Sequence, residues 1–413
     1  MAEWTRRAFL GSLGGMTGLS SGCRAVFSSE PARTGTPTAT PESRTLTDLH
    51  RTDAWDGWEE WGGDMAVDEG TAMDGDRSLH VAADGDADRA GVRFRFTAPQ
   101  DLSERFPVLR FKWDPTPPYD KGSVGCRLAD GAGRTAVFGQ HSFPEFARED
   151  AWHRLAPTFR PTDSDAGFDF ADVVRLDLYH YTGGAYPAAF WTDEVRFVRS
   201  RLDTGAVMIH FDDANTSVYE TAYPVMKRHG IPGTFNVISG NVGPGENLAV
   251  RNLREMADDG WTIGSHPQSK RALPEMDDAE LREAIETEVT FLSANGFTPT
   301  VLAWPYNEWD ARAVDIAGDY FEFGFAGGSG PHTYPPAPGT ELTYPRTGGD
   351  PARHRALVDH ARRRNGLLAL TYHGAGRGHV PVGTFTDIVE HVATTDVAVL
   401  TASDLLGAGA GNA

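Results

Sequence analysis

Lysine is almost missing from this chain. Of 38 basic residues only four are lysines, Lys112, Lys121, Lys227 and Lys270, and they stand against 58 acidic residues for a net charge of -20. No basic stripe offers counterion release, which argues against nucleic acid as a partner. An acidic, Lys-poor, Arg-rich surface is of the kind halophilic proteins carry, because high salt screens its self-repulsion. Cysteine is scarce too, with two in 413 residues. Cys23 and Cys126 lie far apart, which excludes a disulfide framework and a Cys-based metal site, and Cys126 reads as a small buried hydrophobe. Long apolar runs are absent as well. The N-terminal run from Gly11 to Gly18 is too short and too Gly-rich to span a membrane.

What is present falls into blocks. Residues 1–23 read as a targeting segment: Thr5-Arg6-Arg7-Ala8-Phe9-Leu10 is a twin-arginine pattern, and Leu19-Ser20-Ser21-Gly22-Cys23 resembles a lipobox. Both point to export and a lipid anchor on the outer face of the cell membrane. Residues 24–45, rich in Ser, Thr, Pro and Gly, read as a disordered tether. From 46 to 203 the pattern is short alternating strands between Gly/Asp turns, such as Val92-Arg93-Phe94-Arg95-Phe96 and Val174-Arg175-Leu176-Asp177-Leu178-Tyr179. That pattern predicts an all-β sandwich. Trp55-Asp56-Gly57-Trp58 and the stretch from Phe190 to Phe197 resemble jelly-roll carbohydrate-binding modules, and Trp61, Tyr119, Tyr181 and Tyr186 are the candidate sugar-stacking rings.

From 204 to 406 the rhythm becomes alternating strands and helices, ahead of a short tail at 407–413. Strands are predicted at 206–211, 233–238, 262–265, 300–304, 367–372 and 397–400. Helices are predicted at 217–229, 252–259, 277–295, 310–319 and 384–393. Such a repeat gives parallel strands in a barrel or an open sheet, with functional residues at the strands' C-terminal ends. Asp212, Asp213, His266, Pro305, Tyr306 and His373 all fall there. Met208-Ile209-His210-Phe211-Asp212-Asp213 reads as a buried strand ending in two carboxylates. Neighbours on a strand point to opposite faces, so one acid suits a metal and the other suits protons.

Four motifs in order then carry a resemblance: His210-Phe211-Asp212-Asp213, Gly264-Ser265-His266, Ala303-Trp304-Pro305-Tyr306 and Leu370-Thr371-Tyr372-His373. The segment 204–405 resembles the NodB-homology polysaccharide deacetylases of the carbohydrate esterase family 4 type. The resemblance implies a distorted (β/α) barrel of the NodB type. It further implies Asp212 as general base, Asp213 and His266 as ligands of a divalent metal, zinc above all, and the Tyr306 N–H, after Pro305, as oxyanion donor. His373 would be the general acid. The implied reaction removes acetyl groups from N-acetylated sugars of a glycan.

The sequence departs from the family pattern in three places. The family's second metal-binding histidine falls at Lys270, whose ammonium is no ligand and repels a cation. His210, His332 and His379 are the candidate replacements. The third-motif arginine falls at Ala303, which leaves Arg346 to orient Asp212. The glycine after the paired acids is Ala214. These departures keep a second reading beside the first: a surface glycan-binding protein that retains the scaffold without the metal chemistry.

Overall fold

The computed structural model describes residues 57–73, 77–113, 123–140, 151–159, 167–243, 248–267, 271–328, 330–336 and 341–406. Trp55, Asp56, Tyr119 and Lys270, the targeting segment, the tether and the tail lie outside these residues. The first part of the chain forms two antiparallel sheets from β1 (Trp58–Glu60), β2 (Asp64–Asp68), β3 (Ser78–Ala83), β4 (Arg89–Gln100), β5 (Arg105–Trp113), β6 (Ser123–Asp130), β7 (Thr135–Gln140), β8 (His153–Leu155), β9 (Thr158–Phe159), β10 (Val173–Tyr181) and β11 (Ala188–Arg199). One sheet runs β1-β4-β10-β6-β7-β9 and the other β2-β3-β11-β5-β8. Alternation explains the pairing: Val92, Leu176, Leu178, Cys126 and Phe138 of the first sheet share one buried cluster with Leu79, Val81, Phe111 and Phe190 of the second. Cys126 is the small buried hydrophobe its surroundings suggest, and burial pushes its thiol well above the ordinary range.

The aromatic candidates separate. Tyr186 is in the core at 4 % exposure. The Trp61 ring has the Arg89 and Arg127 guanidiniums each 4.3 Å from its centre, so it serves the protein's own cations. Tyr181 is exposed.

The second part holds β12 (Ala206–Phe211), α1 (Tyr223–Arg228), β13 (Thr234–Val237), α2 (Val250–Asp258), β14 (Thr262–Ser265), α3 (Asp278–Ala294), β15 (Val301–Ala303), α4 (Ala311–Ala317), β16 (Phe323–Gly328), β17 (Tyr344–Thr347), α5 (His354–Arg364), β18 (Leu367–Tyr372), α6 (Val382–Thr394) and β19 (Ala398–Val399). Strands β12 to β18 pair in sequence order, all parallel, and β18 pairs back onto β12, which closes a seven-stranded barrel. β19 adds on β12 alongside that ring. Met208, Phe325, Tyr344 and Ala369 fill the barrel interior. The alternate residues Ile209, Phe211, Phe235 and Leu370 pack outward with Val225, Leu253, Phe385 and Ile388 of the helices.

Two features differ from the sequence expectation. The single helix expected over 217–229 is a wide turn, Val218–Ala222, followed by α1 with Pro224 in its first turn. β16, β17 and α5 were not expected at all. Phe-Gly-Phe-Ala-Gly-Gly and Tyr-Pro-Arg-Thr carry the glycines and proline of loops, yet Gly324 must lack a Cβ, which would sit 2.5 Å from the Leu342 carbonyl oxygen.

Barrel and sheets meet across a shared joint. The Arg364 guanidinium at the end of α5 donates to the carbonyls of Leu102 and Ser103 at 2.8 and 3.1 Å, and to that of Arg105, while lying 3.9 Å from the centre of the Phe170 ring. His360, one turn earlier, stacks on Phe159 of β9 with ring centres 4.2 Å apart.

Candidate active site

The C-terminal ends of the barrel strands open into a cavity of about 750 Å³ lined by Asp212, Asp213, His266, Pro305, Tyr306, Arg346, Thr371 and His373, among others. Parallel strands of similar length place their last residues at one mouth, so residues more than 150 positions apart in sequence share it. Asp212 continues the inward alternation of Met208 and His210, and Asp213 is the first residue to leave it.

Asp212 is 1 % exposed and is gripped on both oxygens. Arg346 donates from Nη1 to Oδ1 at 2.8 Å and lies 2.6 Å from Oδ2 through Nη2, a fork-on-fork pair that is itself 4 % exposed. Asn236 of β13 donates to Oδ1 at 3.0 Å. Gly264 of β14 makes room for that amide: a Cβ there would lie 2.3 Å from the Asn236 Oδ1. Burial alone would raise the Asp212 pKa. The Arg346 charge, the nearby His266 and the two donated hydrogen bonds outweigh burial and hold the carboxyl well below its ordinary value.

Asp213 and His266 face each other, with Oδ1 3.2 Å from Nε2. His266 Nδ1 is 3.0 Å from the Ala303 carbonyl, which only accepts, so Nδ1 carries the ring hydrogen and Nε2 is the nitrogen turned to the carboxylate. In the neutral ring that geometry sets two lone-pair donors against each other, and it needs a cation between or beside them. Two donors bonding one ion at about 2.0–2.2 Å would stand roughly 3.2–3.5 Å apart, so the residues present fit a shared divalent ion. Without one, a proton serves. Burial lowers the His266 pKa, but the Asp213 hydrogen bond and Asp212 raise it further, while the His266 contact lowers that of Asp213. His373 Nε2 stands 3.9 Å from Asp213 Oδ2 with its side chain 57 % exposed.

The other candidates are placed elsewhere. His210 points into the barrel below Asp212, 4.3 Å from the Phe325 ring centre, with neither ring nitrogen hydrogen-bonded. Burial, then the neighbouring Arg346 charge, lowers its pKa to about 3. His332 pairs with Leu367 at the opposite end of β18, and its Nε2 is 2.7 Å from the Pro345 carbonyl. His379 Nε2 bonds the Asn215 amide at 2.9 Å and does not line the cavity. None of the three stands beside Asp213 and His266. Among the described residues no three His, Cys, Asp or Glu side chains cluster as a metal site.

The backbone is unusual at the same mouth. Among the described residues five non-glycine residues have left-handed φ, and four of them are the consecutive pairs Asp213–Ala214 (72° and 54°) and Tyr306–Asn307 (58° and 59°). Such conformations cost a side-chain-bearing residue energy and concentrate at functional sites. Sequence reasoning did not find Asn236 or Asn307. A polar Asn in the otherwise buried strand Thr-Phe-Asn-Val was the available signal for Asn236.

A family model described as polysaccharide deacetylase matches residues 199–320. The Staphylococcus aureus (strain MRSA252) poly-β-1,6-N-acetyl-D-glucosamine N-deacetylase is 33 % identical over 98 residues, 22 % of this chain and 33 % of that protein. Bacillus subtilis YxkH, provisionally named a polysaccharide deacetylase, is 31 % identical over 121 residues, 27 % of this chain and 42 % of its own length. This chain therefore spans well under half the length of these curated relatives. A family 4 acetyl xylan esterase from Clostridium thermocellum, solved with a cobalt ion, aligns over 49 % of this chain and 90 % of its own at 18 % identity and TM-score 0.38. Residues 199–320 thus match the polysaccharide deacetylase family model, and they hold the first four strands, β12 to β15, of the closed parallel barrel.

Proposed function

We propose that this protein is a metal-dependent hydrolase that removes acetyl groups from N-acetylated sugars of a glycan. The observation that carries the reading is the pairing of two units at one mouth: Asp213 facing His266 at 3.2 Å, and Asp212 clamped by Arg346 beside them. Asp213 and His266 would hold a divalent ion, zinc above all, which supplies Lewis acidity when bound. Asp212, kept ionised by Arg346, accepts a proton from the attacking water. Its low basicity suits a nucleophile that is already acidified. His373, the most exposed of the four, donates a proton to the departing amine. Pro305 sets the turn that brings Tyr306 to the rim, where its backbone N–H faces developing oxyanion charge.

A second reading, a glycan-binding protein without turnover, is favoured by one observation: only two ligating side chains meet among the described residues. Acetate release from acetylated chito-oligosaccharides, with zinc or cobalt supplied, separates the two. Turnover that vanishes in Asp212→Asn supports the hydrolase. Retained glycan binding with no acetate from any metal-loaded sample supports the second reading.

The same proposal covers the rest of the chain. The twin-arginine and lipobox patterns export the protein and anchor it at the outer membrane face through residues 1–23, with 24–45 as tether. The two-sheet domain, 46–203, acts as a jelly-roll-like carbohydrate-binding module beside the catalytic 204–406. The acidic, Lys-poor composition fits a high-salt medium.

A further inference from the structure

On a chain of net charge -20, the outer face of the six-stranded sheet is a local exception. Alternation puts Arg89, Arg93 and Arg95 of β4, Arg127 of β6, and Arg175, Asp177, Tyr179 and Tyr181 of β10 on that face, away from the core residues Val92, Leu176 and Leu178. The ladder sets Arg93, Asp177 and Arg127 side by side across three strands. Neighbouring strands lie about 4.8 Å apart, so the two arginines stand roughly 10 Å apart at the backbone.

One buried carboxylate organises the cluster. The Asp177 side chain is 0 % exposed; Arg93 Nε reaches its Oδ1 at 2.7 Å, Arg127 Nη2 its Oδ2 at 2.7 Å, and Arg175 Nε its Oδ1 at 3.2 Å. Among the described residues Arg95 and Arg89 form ion pairs with the half-exposed Glu59 and Asp88. Five guanidiniums thus meet three carboxylates. Trp61 adds a second restraint, with Arg89, Arg93 and Arg127 at 4.3, 5.0 and 4.3 Å from its ring centre. The heads of Arg93 and Arg127, held by both Asp177 and Trp61, are therefore fixed before any ligand arrives, which removes the ordering cost that long side chains ordinarily impose on binding. The rings of Trp61 and Tyr179 brace one another edge to face, while Tyr181, paired in register with Arg89, is 45 % exposed. The outer face of the other sheet has a related cluster around Glu194, where Arg110, Arg154 and Arg196 are 11 %, 14 % and 37 % exposed; what sets the present face apart is Arg95 at 56 % beside Arg127 at 26 %.

We propose that this face binds anionic sugar units of a polysaccharide, with the guanidiniums of Arg93, Arg95 and Arg127 receiving carboxylate or sulfate groups and Tyr181 receiving a pyranose face. Asp177 takes Nε and Nη2 of both Arg93 and Arg127, so each turns its Nη1 edge to a ligand anion, while Arg95, whose Nε is 3.3 Å from Glu59, offers the Nη1–Nη2 fork. The patch spans one or two sugar charges, and the net negative charge of the chain opposes the continuous phosphate backbone of a nucleic acid.

The full chain is assayed by titration calorimetry against polygalacturonate, dextran sulfate, neutral dextran and single-stranded DNA. Binding of at least one anionic glycan about tenfold tighter than neutral dextran, weakening as salt rises, is expected. The two anionic arms tell carboxylate from sulfate. Arg127→Gln removes a guanidinium but disturbs Asp177, so Arg95→Glu is tested beside it, because Arg95 is 56 % exposed and its ion pair is with the surface carboxylate Glu59. Each is expected to weaken binding about tenfold, while Asp212→Asn leaves it unchanged, which separates this face from the barrel site. Equal binding of neutral dextran, wild-type affinity in Arg95→Glu, or tighter binding of DNA overturns the proposal.

Discussion

Arg346 and Asp212 stand 134 residues apart and meet in a buried two-pronged pair, with contacts of 2.8 and 2.6 Å and both side chains under 5 % exposed. The resemblance places its family arginine in the third motif, at Ala303. Here β17, two strands further round the barrel than β15, supplies the guanidinium, and Ala303 contributes its carbonyl to His266 instead. The pair keeps Asp212 charged in a place where burial alone would neutralise it.

Breaking the pair from the cationic side is expected to cost both activity and stability. Arg346→Met leaves a buried carboxylate with one amide donor, and loss of one partner of such a pair costs about 3–5 kcal/mol. Acetate release is expected to fall at least about a hundredfold, since the orientation of Asp212 is lost with its charge. The double variant Arg346→Met, Asp212→Asn should recover part of the stability and none of the turnover. Urea melts and acetate assays on the three proteins check this, and a double variant no more stable than Arg346→Met would show that charge compensation is not the pair's role.

Strain at the mouth gives a second test. Ala214 follows Asp213 with φ 54°, in the left-handed region where an alanine costs roughly 1–2 kcal/mol more than a glycine. Ala214→Gly is expected to raise stability by about 0.5–1 kcal/mol after the glycine's greater unfolded-state freedom is counted. Ala214→Val should lower it by more, because a β-branched side chain tolerates that region worst. Thermal melts of the pair check the opposite signs. A stabilising valine would show that the local backbone relaxes freely.

How much of this was legible beforehand follows from which signals are local. Asp212, Asp213, His266 and His373 end strands whose apolar runs are plain in the sequence, and all four line one mouth. β16 and β17 were invisible because glycine and proline ordinarily mark loops, and only the neighbouring Leu342 backbone shows why Gly324 is required. The Arg346 partnership was suggested by the vacancy at Ala303, yet its two-pronged form depends on register between strands that local pattern does not encode. Trp61 misled for a related reason: an aromatic residue on a sheet face looks like a sugar platform until the arginines of β4 and β6 are folded over it.

Acid sensitivity is expected to come from buried histidines, and its sign is fixed. Burial pushes His354 and His332 to about 4 and His360 well below its ordinary value. Above pH ~6.5 these rings are neutral both folded and unfolded and add no pH dependence. Below it the unfolded chain takes up protons that the folded one refuses, so stability falls with pH until the folded values are reached. Each such histidine contributes a slope of at most about 1.4 kcal/mol per pH unit. Urea titrations from pH 8 to pH 5 should show this decline, and His360→Phe, which keeps a ring against Phe159, should flatten it by one histidine's share. An unchanged slope would place the acid lability elsewhere than this joint.

Metal loading supplies the last test, because it can be read without turnover. An ion bound by Asp213 and His266 in the folded state alone stabilises it by RT ln(1 + [L]/Kd), about 2.7 kcal/mol at a hundredfold excess over Kd. Zinc or cobalt added to chelator-treated protein is therefore expected to raise the melting temperature, and chelator to reverse the shift. His266→Ala removes one of the two facing donors and the contact that lowers the Asp213 pKa, so it should abolish most of the shift. His210→Phe should leave the shift intact, since His210 packs on Phe325 inside the barrel and does not line the cavity. A shift that survives His266→Ala but disappears in His210→Phe would move the ion from the mouth to the barrel interior and undo the roles given to Asp213 and His266.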